Sequence, residues 1–448
     1  MNNYAQRVSS RLQERYENEK DYLQTVQAWL EMISPAIDGN PEYEKQDLIT
    51  RMVEPERMVS FLVPWQDDSG CYHTSHGYRV QFNSAIGPYK GGLRFHPALN
   101  GGTAKFLGFE QTYKNALSGL PIGGASGGAD FDPNGKSNRE IMRFCQSFMT
   151  ALYRYIGADI DVPAGDIGVG TREIGYLYGE YKRLTGRAES GAITGKGLTY
   201  GGSKVRQDAA GFGAVYFLAR MVEQHGDTLQ GKLIVVSGFG NMALGACRKA
   251  AELGAKVITL SGPDGYVYDA EGITTDEKFE CIMQMRASGA DQVQPYAERF
   301  GVPFFADKKP WEVPAEIVMP CAIENEIDQE DALRILKNGT KYYVEAANMP
   351  AANEAIQLLR VTPQICCAGS KAAGSGGVIV SALEMAQNSL RYSWSQAEVD
   401  ARLRCTMNTI YDASKLAAEK YDLGYDLIAG NNIAAFERIA KAMLAQGM

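Results

Sequence analysis

The chain has 448 residues, 45% hydrophobic and 22% charged, a composition that suits about two or three packed domains and excludes disordered or fibrous classes. Lys and Arg number 45 against 53 Asp and Glu, and this net charge of −8 argues against nucleic acid or an anionic membrane as partner. No apolar run reaches the ~18 residues of a membrane span, the first residues carry no secretory pattern, and the dispersed cysteines and few histidines form no metal motif. A cytoplasmic protein without a metal is expected.

In chain order, residues 1–50 read as helices. Val59, Phe61, Val63 and Trp65 then alternate with their neighbours, a turn follows at Asp67-Asp68-Ser69-Gly70, and Tyr78, Val80 and Phe82 alternate again, which predicts a hairpin. Helical spacing returns over 103–118 and 137–155, the second opened by a capping box of Ser137 and Glu140. Residues 186–213, rich in Gly, Ser and Thr, read as a hinge between domains. At the far end Ile433, Phe436, Ala440, Met443 and Leu444 share one helical face, expected to pack on the first domain or at a subunit interface.

The most specific local pattern lies after the hinge. A β-branched run, Lys232–Ser237, leads into Gly238-Phe239-Gly240-Asn241-Met242-Ala243 and a helical stretch over 244–253, and a second strand is expected over Lys256–Leu260. A G-x-G-x-x-A turn between strand and helix lets a pyrophosphate approach the helix N-terminus, where free N–H groups favour anions. This predicts a dinucleotide site. At the end of the second strand Ser261-Gly262-Pro263-Asp264-Gly265 offers no cation for a 2′-phosphate, and Asp264 suits a ribose hydroxyl, so NAD is expected over NADP.

The N-terminal half places lysines in glycine-rich or aromatic settings, at Gly87-Pro-Tyr-Lys90-Gly-Gly-Leu-Arg94 and at Gln111-Thr-Tyr-Lys114-Asn, and an acid in Val162-Pro-Ala-Gly-Asp166-Ile-Gly. Ammonium groups hold carboxylates, and a carboxylate between lysines can relay a proton.

With the segments RMVEPERMVSF, YRVQFNSAIGPYKGGLRFHP, KFLGFEQTYKNAL, GGADFDPNGKS, DIDVPAGDIGVGTREIGYLYG, TGKGL, EAANMP and AMLAQG, the chain closely resembles the hexameric glutamate dehydrogenases of the Glu/Leu/Phe/Val dehydrogenase superfamily, NAD-preferring bacterial type, from about Pro41 to Gln446. The resemblance implies two α/β domains separated by a cleft. Residues 1–200 would bind substrate and oligomerise, together with a C-terminal helix over 425–448, and 201–424 would form a Rossmann-type dinucleotide-binding domain. It also implies a homohexamer and the reversible oxidative deamination of L-glutamate to 2-oxoglutarate and ammonia. Lys90 and Ser381 would hold the side-chain carboxylate with Arg206 in support, Lys114 with Gln111 the α-carboxylate, and Asp166 would transfer the proton. Gly238, Phe239, Gly240, Asn241, Asp264 and Asn348 would bind the cofactor.

The sequence departs from that pattern around the reaction centre. The family's catalytic lysine, in GGxKGGSDFDP, is Ser126 in Gly123-Gly-Ala-Ser126-Gly-Gly-Ala129-Asp-Phe-Asp-Pro133. A serine hydroxyl neither carries positive charge nor titrates near neutrality, so it cannot replace an amine that activates water. Ala210 stands where the family has a Thr toward the carboxamide, Gly374 where it has an Asn, and Asn100-Gly-Gly-Thr103 replaces NLS. An impaired glutamate dehydrogenase is therefore expected. The alternatives are a silent homologue that binds a dicarboxylate or partner subunits, and a dehydrogenase of another amino acid.

Overall fold

The computed structural model describes residues 2–447 and divides them into two compact units. The first comprises residues up to Lys204 with Val380–Val399 and the chain from Asn432, and the second comprises Val205–Ile379 and Asp400–Asn431. The first boundary falls at Val205, whose φ of +67° places a β-branched residue in the left-handed region.

The first unit is built on five strands, β1 (Arg57–Gln66), β2 (Tyr72–Asn83), β3 (Tyr89–Phe95), β4 (Gly124–Ala129) and β5 (Asp161–Gly165), in the order β1-β2-β4-β3-β5. β1 and β2 are the expected hairpin, antiparallel with Trp65 opposite His73, and β3 runs parallel to both β4 and β5. Leu93 and Phe95 of β3 pack into an aromatic core with Phe131, Phe144 and Phe148. The opposite face is covered by the Gly101–Leu117 helix, where Phe109 and Tyr113 meet Trp29. Phe436, from the Leu427–Gln446 helix, closes on the same Trp29 at 6.0 Å between ring centroids. The capping box forms, with Ser137 Oγ accepting from the Glu140 amide at 3.1 Å.

The second unit has a parallel sheet of β6 (Leu233–Val236), β7 (Lys256–Val257), β11 (Ile317–Met319), β12 (Tyr342–Val344) and β13 (Cys366–Ala368), ordered β13-β12-β11-β6-β7. An antiparallel meander joins β8 (Thr259–Gly262), β9 (Gly265–Tyr268) and β10 (Phe304–Ala306). The single strand expected over 256–260 is thus two short strands in different sheets, because Ile258 ends the ladder with a bond to the Ile234 carbonyl and the chain turns into the meander.

The expected hinge is also narrower than 186–213. Residues 193–203 are fastened to the Gly376–Leu390 helix by Lys196–Glu384, Gln387–Ser203 and Asn388–Gly201 contacts, so that stretch belongs firmly to the first unit. Among the described residues no helix is long and apolar enough to cross a membrane, and no group of three His, Cys, Asp or Glu side chains could hold a metal ion.

Candidate active site

The reactive face of the first unit follows from register. Leu93 of β3 lies opposite Gly127 of β4, so Ser126 shares a face with Gly92 and, two residues either side of it, Lys90 and Arg94. A Cβ on Gly92 would lie 2.8 Å from the Asp166 Cβ, which puts Asp166 over the same patch. The Gly101–Leu117 helix covers this face so closely that a Cβ on Gly124 would fall 1.9 Å from Thr112 Oγ1. Glycine is required at that position.

Lys90 and Ser126 are 2% and 4% exposed. The strand under Lys90 is held by Asn115, whose Nδ2 donates to the Lys90 carbonyl at 2.9 Å, and Gln111 Nε2 donates in turn to Asn115 Oδ1 at 2.6 Å. Burial pulls the Lys114 ammonium down to about 8, an effect opposed by the nearby Glu110 and Asp166 carboxylates. Asp166 itself is ion-paired with Arg94, Nε to Oδ2 at 3.0 Å. Lys90, Lys114, Asp166 and Ser126 are therefore brought together. Arg94, four residues beyond Lys90 on the same strand, is the cation paired with the acid.

Ser381, on the Gly376–Leu390 helix, shares a hydrogen bond of 2.5 Å with Thr194 Oγ1. Arg206 belongs to the second unit, beside Gly377. Ala210 sits in the first turn of the Ala209–Gln224 helix, and Gly374 closes the short Ser370–Ala373 helix.

In the second unit the strand order reverses between β6 and β11, the point at which an open parallel sheet leaves a crevice beyond its carboxyl ends. A cavity of about 690 Å³ lies there, lined by Gly238–Gly240 after β6 and Cys321–Ile323 after β11. Gly238 has φ +77°, and a Cβ on Gly240 would meet nothing within 4 Å, so the turn leaves room for a pyrophosphate above the Asn241–Glu252 helix. The residues present fit a dinucleotide.

Of the other expected cofactor residues, Asn241 begins that helix and Asn348 follows β12, but neither contributes to the cavity wall. Both Asp264 carboxylate oxygens accept from the Val293 amide at 3.0 Å, and one also accepts from Gln294, so Asp264 caps a helix in addition to any ribose contact. The expectation that no cation lies near the cofactor is corrected. Arg286, Lys308 and Lys309 line the cavity, brought there from the end of one helix and a loop that no local motif marks. Glu326 also lines it, accepting from Ser237 Oγ at 2.8 Å, with burial raising its pKa to about 7.

A buried sheet lysine and a second, helix-borne lysine beside an acid, in a chain that also holds a dinucleotide crevice, define a nucleotide-dependent oxidoreductase. The Glutamate/Leucine/Phenylalanine/Valine dehydrogenase profile matches residues 201–447, and the dimerisation domain of the same dehydrogenases matches 55–183. The chain belongs to the Glu/Leu/Phe/Val dehydrogenase family. It is 55% identical over all of both chains to the NAD-specific glutamate dehydrogenase of Clostridium symbiosum. The NAD-specific glutamate dehydrogenase of Porphyromonas gingivalis is 50% identical over 99% of each chain. A solved glutamate dehydrogenase superposes with a TM-score of 0.98 at 55% identity over the whole of both chains.

Proposed function

We propose that this protein is an NAD-dependent glutamate dehydrogenase, a cytoplasmic homohexamer, whose turnover is limited by Ser126. The observation that carries the reading is the position of that serine. It is buried on the one sheet face that also bears Lys90 and Arg94, with Asp166 over Gly92, where a lysine would reach the reacting carbon. Lys90 and Ser381 hold the side-chain carboxylate, Lys114 and Gln111 hold the α-carboxylate, and Asp166 takes and returns the proton. Bound NAD supplies the hydride acceptor. Lys114, poised at about 8, adds a charge-assisted hydrogen bond but already has a carboxylate to hold.

The test is the rate of NADH formation from glutamate and NAD, run beside the reverse reaction. Ser126→Lys should raise the rate by roughly 10²–10⁴-fold, the usual worth of a positioned acid–base group. Ala210→Thr and Gly374→Asn, added singly and together, should extend the gain. Robust wild-type turnover that Ser126→Lys does not improve would overturn the reading.

A silent homologue that binds a dicarboxylate or partner subunits is the second reading, favoured by the joint substitution at Ser126, Ala210 and Gly374. It predicts 2-oxoglutarate binding without turnover, even in the triple variant.

A further inference from the structure

Fully buried ion pairs are costly to form and are kept where they fix a geometry. The Gly376–Leu390 helix carries such a pair within a polar stripe at helical spacing, Ser381, Glu384 and Asn388, and all three grip one segment of chain. Glu384 accepts from Lys196 Nζ at 2.6 Å and from the Gly195 amide at 3.0 Å, and the two side chains are 1% and 0% exposed. Lys196 Nζ also donates to Asn388 Oδ1 at 2.9 Å and to the Ile193 carbonyl, so its three protons are all used. The chain between these anchors is Ile193-Thr194-Gly195. Its only side-chain hydroxyl, on Thr194, is thereby pressed against Ser381 Oγ at 2.5 Å, and the Thr194 amide donates to the Pro163 carbonyl at 3.0 Å. Pro163 pairs with Gly91, next to Lys90. The Thr194 backbone is therefore set beside β5, two strand spacings or about 10 Å from that of the buried lysine, with β5 between them.

We propose that Lys196 and Glu384 are positioning residues that preset the Thr194–Ser381 hydroxyl pair for the distal carboxylate of a dicarboxylic 2-oxo or 2-amino acid. The pair touches no substrate. It acts through the backbone of Gly195 and through one turn of helix, and Thr194 becomes a specificity-determining residue beside Ser381. The inference rests on the glutamate reading above, because it assigns the distal carboxylate to this pocket.

The test is calorimetric titration of the full chain with 2-oxoglutarate and with 2-oxopentanoate, which lacks the distal carboxylate, in wild type, Glu384→Gln and Lys196→Met/Glu384→Gln. The double variant leaves no buried charge unpaired. Its Kd for 2-oxoglutarate should rise at least tenfold while its Kd values for 2-oxopentanoate and for NADH stay within twofold. An equal loss for both oxo acids, or none for either, overturns the proposal, since a merely structural pair would not discriminate between them. Should the double variant fail to fold, Thr194→Val removes only the hydroxyl that the pair holds, and the same ratio must fall. A wild type that does not bind 2-oxoglutarate rejects the glutamate reading itself and this inference with it. Wild-type binding with an unchanged ratio in the variants rejects the inference alone.

Discussion

The two five-stranded sheets solve the same packing problem with opposite materials. In the second unit the strands are Leu-Ile-Val-Val, Ile-Val-Met and Tyr-Tyr-Val, buried on both faces, and the functional groups sit beyond the strand ends. In the first unit the sheet interior contains Arg79, Gln81, Lys90, Ser126 and Asp161, all buried, with glycines where a helix or a neighbouring strand comes close. A sheet that binds only at its edge can be made of hydrocarbon. A sheet that carries charged side chains inside must satisfy them there.

The Arg79–Asp161 pair is the sharpest test of that contrast. Both side chains are fully buried, Arg79 Nε donates to Asp161 at 2.9 Å, and Nη1 reaches the carbonyls of Gly91 and Gly92 beneath the reactive face. Arg79→Leu leaves the buried Asp161 carboxylate without its cation, the Gln81 Nε2 donation at 3.0 Å remaining, and should cost about 3–5 kcal/mol in denaturant unfolding. A cost near that of a core methylene, about 1 kcal/mol, would mean that the two sheets are held alike.

The second unit has buried carboxyls of its own. Glu345 accepts from the Ser370 amide at 3.2 Å and from the Tyr343 hydroxyl at 3.3 Å, and burial raises its pKa to about 7. A carboxyl whose folded pKa lies above its unfolded value contributes stability that is complete below about pH 4.5 and is lost as pH rises through about 7. Glu345→Gln should therefore match wild type at pH 4.5 and exceed it at pH 8 by up to about 3 kcal/mol. Thermal unfolding across that range, with a constant offset between the two proteins, would show that Glu345 stays ionised.

Smaller effects separate scaffold from site. Asp264→Ala removes the acceptor for the Val293 and Gln294 amides and should lower stability by about 1 kcal/mol, read from the melting temperature. Gly240→Ala meets nothing within 4 Å and should leave stability within about 0.5 kcal/mol. Its methyl nonetheless stands where a pyrophosphate must approach, so NADH affinity by calorimetry should fall about tenfold. An unchanged Kd would move the dinucleotide away from this turn.

The contrast between the sheets also decides what could be read from the residues alone. β6 and its glycine turn declare themselves, since an apolar run followed by G-x-G is a local pattern. The hairpin, the capping box and the apolar face of the last helix are local in the same sense. β4, Gly-Ala-Ser-Gly-Gly-Ala, has no strand propensity at all, and it is a strand because β2 and β3 pair with it from both sides. The partners of the expected site residues were equally hidden. Arg94 meets Asp166 across 72 positions and Lys196 meets Glu384 across 188, distances over which no spacing rule operates. The cations of the dinucleotide cavity come from segments with no motif, whereas Ser126 is visible because a family pattern shows what is missing.

The chain passes from one unit to the other at residues 204–205, 379–380, 399–400 and 431–432, and the last three passages fall inside the continuous helices Gly376–Leu390, Gln396–Lys420 and Leu427–Gln446. No single cut yields two independent genes. A fragment ending at Ile379 would stop one turn into its last helix, and a nucleotide unit grafted from a relative would have to join its host in mid-helix three times. Recombination can exchange loops or whole chains of this kind, but not halves. A substitution in one unit, such as that at Ser126, is therefore inherited together with the other unit.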